Sequence, residues 1–577
     1  MAQLENKIRN QSIVQLVLAV ALLVLVNVLA NSRIGGFSLY GAVDLTEDKI
    51  YSLTPNTKQQ LADLEDPIFI RIMLDGSLPL EYERLKEKAE ELMIEFEDLN
   101  PNLEWEFADP LSGGTVEEIQ QRQRDLQENF GITPVTTMAQ ENAAQVTRSA
   151  VYPYALVYYG ERTMPVSFLS SRMPGISDRA RLNRAENLLE YNFSRAIENI
   201  TNNDKELIGF TRSNGELPGP KFVDFYRTLA ADYQPTPVYL DSFAVLPQEI
   251  KVLIVAKPTI PFTDYQKFKL DQYVMNGGKI LWAIDAVGMD YDSLQGRNEF
   301  YPQPRELGLD DLFFKYGVRM GPVLGLDLVN TSIGVFAGSG TGSNKIQMVP
   351  FPYHVKALAV ADHPIVKNLD PIDLRFPTVL EPVNDDPDVS RTVLLHSSDR
   401  SRRKRLPAPI DLDASKYSID LERFNESRLP FAYLLEGKFS SPYANRLSRD
   451  NEQVLRDNGM NFRAKSDDNR MIIISDGDII ANRVKPDGSY DYLGYNPWDK
   501  FTYANKSFLV NAIEYLINPE GVVSARSKSI PLRLLSETKV YESANKWRVI
   551  NIVVPLVLLG VFGIVFNYVR RRRYATK

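Results

Sequence analysis

Cysteine is absent from the 577-residue chain. That absence removes disulfides, thiolate metal centres and every cysteine-nucleophile mechanism, while leaving an oxidising compartment permissible. Histidine is scarce: only His354, His363 and His396 occur, so histidine-rich metal sites are not expected. No glycine-rich loop followed by the phosphate-binding lysine is present, so the chain is not expected to supply ATP hydrolysis. A positive charge balance is lacking too: the net charge of −8 and pI near 5.4 argue against nucleic acid as a partner. No cofactor and no metal is expected.

What the chain does have is two long apolar runs. Ile13–Ala30 is interrupted only by Gln15 and Asn27, and Ile550–Tyr568 carries Asn551, Pro555 and Asn567. Each is about the twenty residues that a bilayer core requires. Lys7 and Arg9 precede the first run, and Arg570–Arg573 follow the second. By the positive-inside rule both short ends face the cytoplasm and the region from Arg33 to Glu542 lies on the far side. The plan is then a cytoplasmic N-terminus (1–12), a transmembrane helix (13–32), an exported region, a linker (529–548), a second transmembrane helix (549–568) and a basic tail (569–577). Val28-Leu29-Ala30 resembles a signal-peptidase site, but the run is longer than a usual signal core, so an uncleaved anchor is expected.

The exported region reads as α/β throughout. In the first domain (44–203), Thr54-Pro55 marks a helix start, Pro67–Leu74 alternates like a strand, and Leu85, Ala89, Leu92, Met93 and Phe96 repeat at helical spacing before a strand at Leu103–Phe107. Thr115–Asn129 is a polar surface helix, and Ala150–Tyr159 with Thr163–Phe168 form a hairpin around Gly160. Leu182 to Ile200 carries the longest amphipathic stripe, a helix that closes this domain or bridges to the next. The second domain (204–528) opens with Leu207–Thr211, a helix over Phe222–Ala231 and a strand near Val238–Leu240. Its clearest unit is Ile250–Ala286: a buried-type strand ending at Lys257-Pro258, a helix opened by Thr263 with Gln266 and closed by Gly277-Gly278, and a second strand ending on Asp285. Strand–helix–strand alternation predicts a doubly wound, mainly parallel sheet. The pattern breaks over about 288–465, read as a mixed insertion, and resumes with a strand at Arg470–Ser475 and a helix at Lys506–Ile517.

Asp285, Asp476 and Asp478 end strands of that one predicted sheet, and Lys257 ends a third. Open α/β sheets bind ligands outside their carboxyl strand ends, so these four are the candidate crevice or partner-binding residues. Hard-cation binding by the carboxylates is conceivable; the plainer account is that Asp at a strand end begins a turn. His396-Ser397-Ser398-Asp399 puts catalytic residue types side by side, but triads are assembled from distant loops, and a strand end running into a turn is expected. The glycine-rich Gly338–Gly342 reads as an exposed loop, and Arg400–Arg405 as a solvated basic loop that could dock on anionic lipid or polymer.

Six motifs in order, DKIYSLTP, KPTIPFTDYQKFKLDQYVMNGGKILWAID, KIQMVPFPY, YLLEGKFSSPY, IIISDGDIIAN and NKSFLVNAIEYL, resemble the gliding-motility ABC transporter auxiliary family, GldG. The resemblance implies a subunit of the bacterial inner membrane that works with a separate permease and a separate ATPase. It also implies a central domain similar to class I glutamine amidotransferases. Paired transporter halves imply two copies per complex. An amidotransferase needs a cysteine on a strained elbow, and none exists here, so no catalytic residue is expected. A hydrolase with another constellation, and a structural tether from membrane to cell wall, are the alternatives.

Overall fold

The computed structural model describes residues 52–521 apart from 143–144, 170–176, 203–204, 290–298, 338–344, 360–362, 368, 384–386, 412–420, 445, 447–454 and 458–460, together with 18, 22, 33–34, 37–38, 555–557 and 559–572. It divides into two compact units, 1–528 and 529–577.

The first domain of the larger unit starts with α1 (Pro55–Ala62), whose Thr54 hydroxyl accepts from the Thr57 amide and whose first residue is proline. Then come β1 (Ile68–Ile72), α2 (Leu80–Leu99) and β2 (Leu103–Phe107), with β1 and β2 parallel as expected. The polar α3 (Val116–Phe130) buries no residue and is closed by a capping box of Thr115 with Glu118 and by left-handed Gly131. β3 (Val135–Asn142) and β4 (Gln145–Val151) pair with each other. β5 (Tyr154–Tyr159) and β6 (Arg162–Ser167) form the hairpin at Gly160, shorter than expected because Ala150 and Val151 belong to β4. The sheet order is β2-β1-β5-β6. Along α4 (Asp178–Thr201) Leu182, Ala185, Leu189, Phe193, Ala196 and Ile197 join the core of this domain.

In the second domain, β7 (Leu207–Thr211), α5 (Val223–Asp232) and β8 (Gln234–Val238) come first. β8 precedes its predicted position. It carries Pro235 and Pro237, which a sheet tolerates only at an edge, and an edge is where it lies. β9 (Ile250–Ala256), α6 (Asp264–Met275) and β10 (Lys279–Ala283) form the expected parallel unit. Thr263 and Gln266 make the capping box, and Gly277 at φ +98° ends the helix, with the amides of Gly277 and Gly278 on the carbonyls of Val274 and Tyr273. Next are α7 (Asp310–Tyr316), β11 (Val318–Asp327), β12 (Asn330–Ala337), β13 (Lys345–Ala359), β14 (Ile372–Arg375), β15 (Thr378–Pro382), β16 (Val389–His396), β17 (Ser401–Arg405), β18 (Pro430–Ser440), β19 (Lys465–Ile474) and α8 (Asn505–Ile517).

The central sheet runs β8-β7-β9-β10-β19-β18-β16-β13-β12, with β14 also on β13. Pairs from β8 to β19 are parallel and the remainder antiparallel. The sheet is therefore half parallel rather than mainly parallel. Strands of the 288–465 segment extend it instead of standing apart, because β18 and β16 continue directly from β19 and leave it no free edge there. A separate small sheet, β15-β11-β17, takes in the basic run. Residues 401–405 are thus an edge strand, not the loop expected. The backbone pairs with β11, and Glu426 binds the Arg403 amide at 2.8 Å as well as its guanidinium.

Both faces of the parallel half are covered. Ile208, Val252, Ile254, Leu281 and Ile472 share one core with Phe225 of α5 and Phe508 of α8. Leu253, Val255, Ile280, Trp282 and Ile473 share the other with Leu270 of α6 and Phe313 of α7. Alternate residues of one strand go to opposite cores, which is why these strands read as unbroken apolar runs.

Among the described residues no helix is long and apolar enough to cross a membrane. Of the run Ile13–Ala30, only Leu18 and Leu22 are described, so the first predicted span lies outside the described residues. In the smaller unit, residues 555–557 and 559–572 are helical, with apolar side chains such as Leu559, Phe562 and Ile564 exposed.

Candidate functional site

The carboxyl ends of three adjacent parallel strands bring together the four residues singled out from the sequence. β9 and β10 run in register, Ala256 against Ala283, and β10 continues against β19 with the Ile284 amide on the Ile474 carbonyl at 3.0 Å. Lys257, Asp285 and Asp476 therefore leave the sheet side by side. Lys257 has φ of +51°, a left-handed conformation costly for a residue with a Cβ, held by its amide on the Ala283 carbonyl at 2.8 Å. Its ammonium donates to Asp478 Oδ1 at 2.5 Å and lies 3.4 Å from Asp285 Oδ2. Gly477 makes the approach possible. A Cβ there would lie 2.7 Å from Lys257 Cβ, closer than carbon atoms pack.

The carboxylates also tie down backbone. Asp285 Oδ1 accepts from the Gly477 amide at 2.5 Å; Asp476 accepts from the amides of Asp478 and Arg375, each at 2.7 Å. The Asp476–Asp478 contact is the turn that the plainer reading expected. The bond to Arg375 was not foreseeable, since β14 lies in the antiparallel half and about a hundred residues away in the chain. Behind Arg375, Asp373 accepts from Thr331 Oγ1 at 3.2 Å, and its amide donates to Asn505 at the start of α8 at 3.0 Å.

Burial works to lower the Lys257 ammonium, but Asp478 and Asp285 overcome it and hold the group above its ordinary range. Burial raises Asp285, opposed by Lys257; burial and the carboxylates of Asp478 and Asp285 push Asp476 well up. An ammonium held this way stays charged over the whole working pH range. It fixes charge and position; an amine nucleophile would need the opposite shift. No group of three or more His, Asp or Glu with metal-binding geometry occurs among the described residues.

The other sequence candidates do not assemble. Ser398 bonds Asp327 through both its amide and hydroxyl at 2.5 Å, Ser397 bonds Ser401 at 2.8 Å, and Asp399 pairs with Arg428 at 3.4 Å. His396 Nδ1 meets the Ser397 carbonyl, so the residue types of a triad are present without its bonds. Gly338–Gly342 lies outside the described residues.

Residues 205–512, just over half the chain and every strand of the central mixed sheet, match the family described as an ABC-type uncharacterized transport system. The chain belongs to that family. It is an auxiliary component of ABC-type transport, and residues 47–158 separately match a domain of unknown function, DUF7088. An uncharacterized protein of Borreliella burgdorferi is 19% identical over 542 residues, covering 92% of this chain and 93% of its own. Among solved structures, the mmIFT52 N-terminal domain aligns over 54% of this chain and 97% of its own at 11% identity, with a TM-score of 0.29, which is too low to argue from.

Proposed function

We propose that this chain is a membrane-anchored, non-enzymatic binding or scaffold subunit of an ABC transporter. In this reading the apolar runs at 13–32 and 549–568 anchor it in a bacterial inner membrane, both ends are cytoplasmic, and the α/β region is periplasmic. A permease and an ATPase supplied by other chains complete the complex, with two copies of this subunit, in gliding motility or an associated export. The observation that carries it is the family match over residues 205–512, which spans the whole central sheet. The parallel half, in chain order 2-1-3-4-5, supports kinship with amidotransferase-like folds, with Lys257 and its carboxylates standing where such folds mount chemistry. A clamp of charged Lys257 suits holding a crevice in shape rather than turning over a substrate. Detergent extraction of tagged full-length chain from its own cells tests the reading: a permease and an ATPase should co-purify in stoichiometric amounts. Recovery of the chain alone under mild extraction would overturn it.

A further inference from the structure

Outside the carboxyl ends of the parallel strands lies a cleft of about 460 Å³, the size range of small-molecule sites. Four basic side chains, Lys221, Lys257, Arg375 and Arg483, line it against one carboxylate, Asp478. Lys257 is committed to Asp478 and Asp285. Of the other three, Lys221 forms no ion pair among the described residues and Arg483 lies 3.7 Å from Asp491. Arg375 lies 3.6 Å from Asp373, which, against burial and with Asp478 and Asp476, holds its guanidinium up while leaving it on the cleft wall. Burial keeps the His354 imidazole on the same wall neutral, so it neither adds to nor cancels this charge. Trp498 adds a broad aromatic face to the lining. Such a wall satisfies an anionic group and a ring together: guanidinium and ammonium donors match phosphate or carboxylate oxygens, and indole packs on a ring.

We propose that this cleft binds a small ring-bearing organic anion, its phosphate or carboxylate held by Arg375, Lys221 and Arg483 and its ring packed on Trp498. The assignment gives the binding module of the transport reading its ligand class, and it rests on that reading for its purpose. Lys257 and Asp478 serve as the rigid floor, so ligand entry need not break their bond.

Calorimetric titration of purified full-length chain with glucose 6-phosphate, glucuronate, uridine 5′-monophosphate, inorganic phosphate and uncharged glucose tests it. At least one of the three ring-bearing anions should bind, and glucose at least about tenfold more weakly than glucose 6-phosphate or glucuronate, whichever is the tighter. Comparison of those two sugars tells phosphate from carboxylate, and inorganic phosphate measures what the ring adds. Arg375→Gln and Trp498→Ala should each weaken binding about tenfold or more. Lys221→Gln, at an exposed rim position, should weaken it without altering the melting temperature, and so keeps the test valid if Arg375→Gln misfolds. Absence of binding by every anion to folded chain, equal binding of glucose, or unchanged affinity in Lys221→Gln would each overturn the proposal. If binding fails while permease and ATPase still co-purify, the ligand is wrong and the transport reading stands; binding without co-purification means the reverse.

Discussion

An ammonium between carboxylates in a largely dehydrated crevice is stable only as a set. Lys257 retains 11% of its side-chain exposure and Asp285 8%, so removing the cation leaves buried negative charge without its nearest counterion. Lys257→Met keeps the length and the left-handed backbone but deletes that charge. It is expected to cost about 3–5 kcal/mol in urea unfolding of the full chain. A loss below about 1 kcal/mol would show that the clamp is solvated in solution and contributes little. Asp285 and Asp476 could be found from sequence because they end apolar strand runs. Arg375, Lys221 and Trp498 could not. Nothing in local pattern distinguishes them from surface residues, and only the sheet order brings them to the same edge.

At the scale of elements, α6 departs furthest from its pattern. The spacing of Leu270, Tyr273 and Val274 predicts a helix with one apolar stripe, yet Lys267, Lys269, Asp271 and Gln272 are buried too. The reason is what covers its outer face: Phe268 meets Tyr443 edge to face and stacks on Phe462, and Gln272 bonds the backbone of Arg463, all from the segment before β19. Polar positions on that face are satisfied locally. Lys269 reaches the carbonyls of Leu240 and Phe243, and Asp271 accepts from Tyr316 at 2.9 Å, Ser441 at 2.6 Å and Gln272 at 2.9 Å. Burial raises the Asp271 carboxyl to about 6 despite those bonds. Its folded pKa lies above the unfolded value near 3.9, so its contribution is full below about pH 4 and is lost as pH rises through about 6. Asp271→Asn should therefore gain on the parent as pH goes from 4.5 to 7.5, by up to about 2 kcal/mol. A difference between the two proteins that stays flat over that range in denaturant melts would show the carboxyl to be unperturbed.

For the whole molecule, α4 binds the two domains of the larger unit. Its Arg195 pairs with Glu514 of α8 at 2.7 Å and with Asp232 of α5, Tyr191 donates to Glu514 at 2.6 Å, and Arg184 meets Asp370 at 2.6 Å. The same helix packs its apolar stripe into the core beside the β2-β1-β5-β6 sheet, so one face serves that core while its polar side chains reach the elements around the central sheet. The proposed topology is testable because the chain has no cysteine. A membrane-impermeant maleimide should label Ser489→Cys from the periplasm and leave Thr576→Cys unlabelled until the inner membrane is opened. Labelling of Thr576→Cys alone in unopened cells would invert the topology.

The sequence by itself determined the alternation of elements, because strands buried on both faces and capped helices leave local marks. It determined the parallel unit around Ile250–Ala286 and the strand-end placement of Lys257, Asp285 and Asp476 for the same reason. It also ruled out cysteine chemistry outright. Only the tertiary structure decided that the irregular segment extends the central sheet antiparallel, that α6 is enclosed on every side, and that the basic run is an edge strand. Strand order and the covering of a helix depend on contacts between residues far apart in the chain, and hydrophobic period records only that a face is buried, never by what.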